Sequence, residues 1–224
     1  MPSCHCEDID HHFTPRRARD DLAAYRRRGP TGTARMILKA LAQAGVAPQT
    51  LLDVGAGVGV LHHELLDRGV QRAVHLEVAG AFVEAAREET GRRGHQNRVQ
   101  FQQGDLVSLA ADIAAADLVT LDRVVCCYPD VDALVAVSTH KARQYYALSY
   151  PHDRWYIRVR VWVQNYRRRL RGDPFRFFVH SVERIRSLLL ANGFEVRISR
   201  STINWEVLVC ARRDRRTPAD GTGG

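Results

Sequence analysis

The 224-residue chain contains very little lysine and no long hydrophobic stretch. Lys39 and Lys141 are its only lysines, and the remaining members of its 33 basic residues are arginines. No run approaches the ~20 apolar residues that a membrane-spanning helix needs. The first residues, MPSCHCEDIDHHF, show neither the basic nor the apolar region of a secretory signal peptide. We therefore expect a cytoplasmic protein without a transmembrane segment.

Cysteine is also scarce and irregularly spaced. Five cysteines, an odd number without a regular pattern, do not form the disulfide framework of a small secreted domain. Cys4, Cys6, His11 and His12 lie close together near the start of the chain and could hold a metal. Their spacing, however, fits no standard closed zinc site. We assign no metal to the chain and leave this cluster as an alternative.

The formal net charge of +8 raises the question of a nucleic-acid partner. The excess of arginine over lysine can equally reflect the base composition of a genome. Most of these arginines are therefore interpreted as solvated surface residues, and nucleic acid is not the favoured partner.

Strand-like and helix-like segments alternate through the middle of the chain. The strand patterns are TLLDVG, AVHLEV, RVQFQQGD, DLVTLDRVV and QYYALSYP. This alternation predicts βαβ units and a parallel sheet with helices on both faces. The last strand-rich segment, FEVRISRSTINWEVLVCARR, contains two strand patterns around a short turn and predicts an antiparallel hairpin.

Three glycines follow the first strand in LLDVGAGVGV, at Gly55, Gly57 and Gly59. A bare turn between a strand and a helix lets a ligand lie against the main chain, and the helix offers free N–H groups. A dinucleotide site with the spacing G-x-G-x-x-G would need glycine at position 60, where Val60 stands. The spacing G-x-G-x-G therefore indicates a different cofactor.

This segment resembles the first motif of the class I S-adenosylmethionine-dependent methyltransferases, and the resemblance extends over roughly residues 25–211. It implies a Rossmann-like seven-stranded sheet with an antiparallel last strand. It also implies S-adenosyl-L-methionine as cofactor and S-adenosyl-L-homocysteine as product. The cofactor-binding residues that the resemblance implies in and after strands one to four are Asp53, Gly55, Ala56, Gly57, Gly59, Glu77, Val78, Asp105, Leu106 and Asp122.

Two of these residues have specific implied roles. Glu77 ends the second strand, where the family places an acidic residue on the ribose hydroxyls. Asp105 follows Gly104 after the third strand, where the carboxylate meets the adenine amino group and Leu106 lies against the ring. Singly, each of these carboxylates could be an ordinary surface residue, and their joint placement at successive strand ends favours the cofactor site.

The segments LDRVVCCYPD and ALSYP resemble the magnesium-protoporphyrin O-methyltransferases. This chain has Cys126 where those enzymes have histidine, and one extra residue separates Asp122 from Tyr128. The resemblance implies O-methylation of a flat, apolar or carboxylate-bearing small molecule, with Tyr128 near the acceptor. Tyr25, Asp122 and His152 are the candidate catalytic residues, because each is expected near the carboxyl edge of the sheet; His180 is a further candidate.

Residues 152–178 form a helical insertion after strand five. Trp155, Val159, Trp162 and Tyr166 fall on one face of a helix. We predict a lid over the acceptor in which Trp155 and Arg158 contact the substrate. The same mixture of aromatic rings and arginines also suits an anionic membrane surface, an RNA backbone, or a helix packed on the core.

The predicted organisation is a capping segment at residues 1–30, a methyltransferase domain at 31–212 and a disordered tail at 213–224. The leading hypothesis is a small-molecule methyltransferase. An RNA methyltransferase and a cofactor-binding module without catalysis are the alternatives. The sequence predicts no oligomeric state.

Overall fold

A seven-stranded sheet organises the chain in the computed structural model, which describes residues 4–213. Its strands are β1 (Thr50–Val54), β2 (Arg72–Glu77), β3 (Val99–Gln103), β4 (Ala116–Leu121), β5 (Ala142–Pro151), β6 (Phe194–Ser201) and β7 (Trp205–Arg212). Their order across the sheet is β3-β2-β1-β4-β5-β7-β6. The first five are parallel, and β7 is antiparallel to both of its neighbours. The predicted parallel sheet and closing hairpin are confirmed.

Eight α-helices accompany the sheet among the described residues. They are α1 (Cys4–His12), α2 (Pro15–Arg28), α3 (Gly32–Gln43), α4 (Val60–Asp67), α5 (Gly80–Arg93), α6 (Val131–Lys141), α7 (Trp155–Leu170) and α8 (Val182–Ala191). Asp130 caps the N-terminus of α6, because its carboxylate accepts the Ala133 N–H at 2.9 Å.

Both faces of the sheet are buried, since neighbouring residues of one strand point to opposite sides. Leu118 and Ala147 belong to the core under α3 and α4, whereas Val119 and Leu148 belong to the core under α6 and α8. Helices therefore cover both faces of the sheet, which is the doubly wound arrangement. The carboxyl ends of the parallel strands β1 to β4 lie together at one edge.

The N-terminal helices pack beside α5 rather than on the main sheet. Arg26 in α2 donates to Glu88 and Glu89 of α5, each at 2.8 Å. Asp10 in α1 accepts the Gly80 N–H at 2.9 Å, at the start of α5. These contacts fix residues of the predicted capping segment over the edge of the sheet. The predicted tail lies outside the described residues except for Arg213, as do the side chains of Cys4 and Cys6.

The insertion after β5 contains the predicted amphipathic helix, α7. Its aromatic face does not pack on the core, because Trp155 is 76% exposed and Trp162 is 67% exposed. The alternative of a core-packed aromatic face is therefore wrong. The buried side of the helix carries Ile157 instead. Within residues 4–213, no helix has the length and apolar character needed to cross a membrane.

Candidate functional site

A cavity of about 450 Å³ opens at the carboxyl ends of the parallel strands. Its volume lies within the range of ordinary small-molecule sites. The strand ends contribute Gly55, Ala56, Gly57, Glu77, Val78, Asp105, Leu106 and Asp122, and the N-terminal helices contribute Ile9, Phe13, Arg17, Asp21 and Tyr25. The structure therefore brings together most of the residues that the sequence placed at a cofactor site.

The glycine turn has a backbone that other residues would not tolerate. Gly55 has φ of 60°, and a Cβ there would lie 2.5 Å from Cγ2 of Val124. Gly57 has φ of 57° and lines the cavity. Gly59, at φ of 87°, does not line it, and a Cβ there would collide with the His62 ring. Gly55 and Gly57 therefore shape the cavity wall, whereas Gly59 leaves the space that the buried His62 ring occupies behind the turn.

Glu77 fastens the turn to the end of β2. Its Oε2 accepts the Gly57 N–H at 2.9 Å, and Oε1 accepts the N–H groups of Val78 and Ala79 at 2.9 and 3.0 Å. A carboxylate has about four acceptor positions, so about one remains for a ligand hydroxyl. Burial raises the pKa of Glu77, and the three backbone donors oppose that shift.

Asp105 and Tyr128 meet on the opposite side of the cavity. Asp105 Oδ2 accepts the N–H and hydroxyl of Ser108, both at 3.0 Å, and the Tyr128 hydroxyl at 3.3 Å. All three donors use Oδ2, which leaves Oδ1 for an amino group of a ligand. The carbonyl of Tyr128 interacts with Nε2 of His180 at 2.9 Å. His180 is therefore a residue that positions Tyr128 and does not itself line the cavity.

Asp122 lies in the wall just beyond β4, beside an unusual backbone. Its Oδ1 accepts the Ser149 hydroxyl at 2.6 Å, and Ser149 Oγ accepts the Arg123 N–H at 2.8 Å. Arg123 has φ of 61°, which side-chain-bearing residues seldom adopt and which clusters at functional sites. Burial raises the pKa of Asp122, and the Arg123 guanidinium opposes that shift. The raised pKa makes Asp122 a stronger base than an ordinary aspartate.

Tyr25 lines the cavity, but its hydroxyl is engaged elsewhere. It donates to Glu64 Oε1 at 2.9 Å, and the Arg93 guanidinium lies 4.9 Å from the ring centre. Burial raises the pKa of Tyr25 well above its ordinary value. A phenol held protonated in this way is not a general base at neutral pH, so the geometry supports a structural role.

Asp53 lies behind the glycine turn and does not line the cavity. It is 1% exposed, accepts the Thr120 hydroxyl at 2.7 Å and contacts Nδ1 of His62 at 3.3 Å. Its placement favours support of the turn over contact with a ligand.

The predicted residues around the insertion lie away from the cavity. Nε2 of His152 contacts the Thr202 carbonyl at 3.1 Å, and Trp155 and Arg158 point outward on α7. None of the three lines the cavity. The structure therefore gives no support to their predicted contact with the acceptor. No cluster suited to a metal ion occurs among the described side chains, which include those of His11 and His12.

Several cavity residues were not anticipated from the sequence. They are Phe13, Arg17, Arg123, Val124, Cys126, Cys127, Phe177 and Trp205. The thiols of Cys126 and Cys127 are 3.8 Å apart. The adjacent cysteines were visible as a motif, whereas the contribution of α1 depends on a tertiary contact that no local pattern signals.

Four histidines form a buried cluster behind the turn: His62, His63, His75 and His95. The rings of His62 and His63 are 4.2 Å apart, and those of His62 and His75 are 5.2 Å apart. Burial and the neighbouring cations lower the pKa of His63 to about 2, and burial lowers that of His75 well below its ordinary value. Neither ring nitrogen of His75 has a hydrogen-bond partner within the described part of the chain. His63 and His75 are therefore neutral in the folded protein.

This cluster should make the protein acid-labile. Below pH ~6.5 the unfolded chain protonates His63 and His75 while the folded chain does not, so stability falls as pH decreases toward their folded pKa values. We expect His63 and His75 each to contribute a loss of about 1 kcal/mol per pH unit between pH 6 and pH 5. Denaturant unfolding at pH 7, 6 and 5 measures this loss.

The matched variants are His75→Leu, which should flatten the pH dependence, and His140→Gln, which changes an exposed histidine on α6. An unchanged pH dependence in His75→Leu would contradict the assignment of this residue as a buried neutral histidine.

Comparison with known proteins agrees with this geometry. Residues 52–139 match the family model described as a methyltransferase domain. No curated protein matches the chain. The structure resembles magnesium protoporphyrin IX methyltransferase from Synechocystis with bound SAH, at a TM-score of 0.69 and 20% identity over 91% of this chain and 98% of that one. An O-methyltransferase family protein from Burkholderia thailandensis gives a TM-score of 0.65 at 14% identity, over 88% and 60% of the two chains.

At these identities the structural likeness shows a shared fold. The matched segment begins in β1 and runs through the glycine turn, Glu77, Asp105 and Asp122, and therefore covers the strand ends that line the cavity. The family match over residues 52–139 shows a methyltransferase domain on a Rossmann-like sheet, and the spacing of the glycines and the carboxylates at successive strand ends agree with S-adenosylmethionine as its cofactor.

Proposed function

We propose that this enzyme methylates an oxygen atom of a small molecule that is flat and apolar or bears a carboxylate. The observation that carries the proposal is the continuity of the cavity. One part is lined by the glycine turn, Glu77 and Asp105, and another by Tyr128, Phe177 and the two cysteines. A cofactor in the first part leaves an aromatic and apolar second part for the acceptor.

The first part fits S-adenosylmethionine. The remaining acceptor position of Glu77 suits a ribose hydroxyl, and Oδ1 of Asp105 suits the adenine amino group. Leu106 is buried in the same wall and offers an apolar surface to a ring. Because Gly55 and Gly57 have no side chains, the ligand can lie directly against the main chain of the turn. When bound, the cofactor supplies an activated methyl group on a sulfonium.

The protein must then hold the acceptor in line and accept its proton. Asp122 is the candidate proton acceptor, because it lies in the cavity wall with a raised pKa and one oxygen, Oδ2, unused by Ser149. Helices α1 and α2 form part of the same wall. We propose that they close the cofactor site against water, the capping role predicted for residues 1–30.

Two measurements test this function. Calorimetry should show binding of S-adenosylmethionine and S-adenosylhomocysteine, and none of NAD. Incubation with methyl-labelled cofactor and a fractionated cell extract should then place the label in small molecules. NAD binding without a response to S-adenosylmethionine would contradict the assignment.

The second candidate, an RNA methyltransferase, rests on the net charge of +8. Label appearing in the RNA fraction, with RNA binding that weakens steeply as salt rises, would favour it. A chain that binds the cofactor and transfers label to neither fraction would favour a binding module without catalysis.

Tyr25→Phe separates the structural from the catalytic role of this residue. We expect the variant to lose about 1–2 kcal/mol of unfolding free energy, because a buried hydrogen bond to a carboxylate is removed. Turnover per folded molecule should stay within about twofold of the wild type, since the hydroxyl contacts Glu64 rather than the cavity. Chemical denaturation and methyl transfer to the identified acceptor measure the two effects. Normal stability with a large loss of turnover would instead make Tyr25 catalytic.

A further inference from the structure

Helix α7 presents a stripe of exposed apolar side chains that has no role in the cavity. Trp155, Val159, Trp162, Tyr166 and Leu170 follow one another at helical spacing along one side. Their exposed fractions range from 52% to 76%. An apolar patch of this kind on a protein surface marks a site of interaction.

Exposed arginines flank the stripe on both sides. At 100° per residue, Arg158 and Arg169 fall on one side of it, and Arg160 and Arg167 on the other. The sequence of α7, WYIRVRVWVQNYRRRL, contains no aspartate or glutamate. The outer half of the helix therefore combines an apolar centre with positive margins.

The opposite side of α7 is held firmly by the rest of the protein. Ile157 is fully buried, and Arg168 donates to Asp173 at 2.6 Å. The side-chain amide of Asn165 bonds both the N–H and the carbonyl of Phe177, at 3.0 and 2.8 Å. Since its inner side is already packed, the exposed stripe faces outward in the folded protein.

We propose that α7 docks the protein on the surface of an anionic lipid bilayer. The stripe enters the boundary between headgroups and acyl chains, where tryptophan and tyrosine are favoured. The flanking arginines lie at the level of the lipid phosphates and contact the anionic headgroups. Because Asn165 holds Phe177 in the cavity wall, docking brings the cavity close to the bilayer surface.

Two other occupants fit the helix less well. The rings of Trp162 and Tyr166 stack on each other with centres 5.7 Å apart and an interplanar angle of 8°, so one face of each ring is already occupied and less ring surface is left for stacking RNA bases. The aliphatic side chains of Val159 and Leu170 can neither stack on bases nor form hydrogen bonds or ion pairs with a nucleic acid. If two copies of the chain packed through this stripe, two α7 helices would face each other. Both are rich in arginine and lack carboxylates, so their like charges would repel.

Flotation of the full chain with lipid vesicles tests the proposal. We expect binding to vesicles of phosphatidylcholine and phosphatidylserine, weaker binding to phosphatidylcholine alone, and a decrease as salt rises. The double variant Trp155→Ala/Trp162→Ala should bind at least about tenfold more weakly. Arg160→Glu/Arg167→Glu should lose binding to the anionic vesicles to a similar degree.

Matched controls change the same kinds of residue elsewhere. Leu190→Ala removes an exposed apolar side chain on α8, and Arg72→Glu/Arg197→Glu reverses two exposed charges on the sheet. Both should bind vesicles as the wild type does. Circular dichroism and affinity for S-adenosylmethionine verify that each variant is folded.

Three results would overturn the proposal. The first is that the wild type does not bind vesicles, and the second is that the control variants lose as much binding as the α7 variants. The third is that the α7 variants lose binding to a single-stranded RNA while their binding to vesicles is unchanged. A concentration-dependent dimer that dissociates in the α7 variants, without vesicle binding, would instead assign the stripe to a second copy of the chain.

Discussion

Glu77→Ala is expected to weaken the binding of S-adenosylmethionine about 100-fold or more, which corresponds to ~2.7 kcal/mol. The carboxylate would contribute a charge-assisted hydrogen bond to the ribose, of the order of 1.5–3 kcal/mol. It also accepts the Gly57 N–H and so shapes the turn against which the cofactor lies. Both contributions disappear together in the variant, so the loss should exceed that of one hydrogen bond. Calorimetry with the folded variant measures it.

The control is Glu84→Ala, because Glu84 is an exposed carboxylate on α5, the helix that follows Glu77, and lies outside the cavity. Its dissociation constant should match that of the wild type. A comparison of adenosine with 2′-deoxyadenosine isolates the ribose contact. The wild type should prefer adenosine, and Glu77→Ala should lose that preference. A preserved preference would show that Glu77 supports the turn without contacting the ribose.

The sequence predicted the sheet because local patterns and topology agree at every strand. Apolar runs such as LLDV and DLVTL are buried on both faces, as parallel strands between helices must be. The closing hairpin was also predicted correctly, since residues 202–204 separate two strand patterns by a short turn. Local sequence patterns determine the strands and the hairpin, so both can be predicted from a single sequence.

The part of the cavity that we propose for the cofactor was predictable for a related reason. Parallel strands place their carboxyl ends at one edge, so Glu77, Asp105 and Asp122 converge once the strands are assigned. Asp53 is the exception. It is the residue before the last one of β1, and its side chain contacts His62 and Thr120 behind the turn. The sequence could not show which side of the strand end faces the ligand.

The part of the cavity that we propose for the acceptor was predicted less well, because it depends on tertiary packing. Trp155 and Arg158 were placed at the substrate from the position and composition of the insertion, whereas the structure turns their side of α7 outward. The cavity wall instead takes Phe177 from the chain after α7 and Phe13 from the N-terminal helices. His12 stacks on Phe175 with ring centres 4.3 Å apart, a contact between residues 163 positions apart in the sequence. Such long-range contacts leave no periodic signal.

Asp122→Asn is expected to lower turnover by about 10²–10⁴-fold, the usual contribution of a positioned general base. The amide keeps the shape of the carboxylate and the hydrogen bond from Ser149, so the fold and the cofactor affinity should change little. The control is Asp112→Asn, which alters an exposed carboxylate outside the cavity. Turnover and the dissociation constant of S-adenosylmethionine, measured on the same preparations, separate a role in proton transfer from a role in cofactor binding.

The pH profile gives the decisive readout, because a general base acts only in its deprotonated form. Turnover in the wild type should fall as pH decreases through the raised pKa of Asp122, and this acidic limb should be absent from the residual activity of Asp122→Asn. Ser149→Ala removes a hydrogen bond that favours the charged carboxylate, so the acidic limb should move to higher pH. Its contact with the Arg123 N–H is lost as well, which makes cofactor affinity a necessary control in this variant. If Asp122→Asn kept its turnover and instead lost cofactor affinity, Asp122 would be a cofactor ligand, and the acceptor would have to reach the enzyme already deprotonated or lose its proton to water.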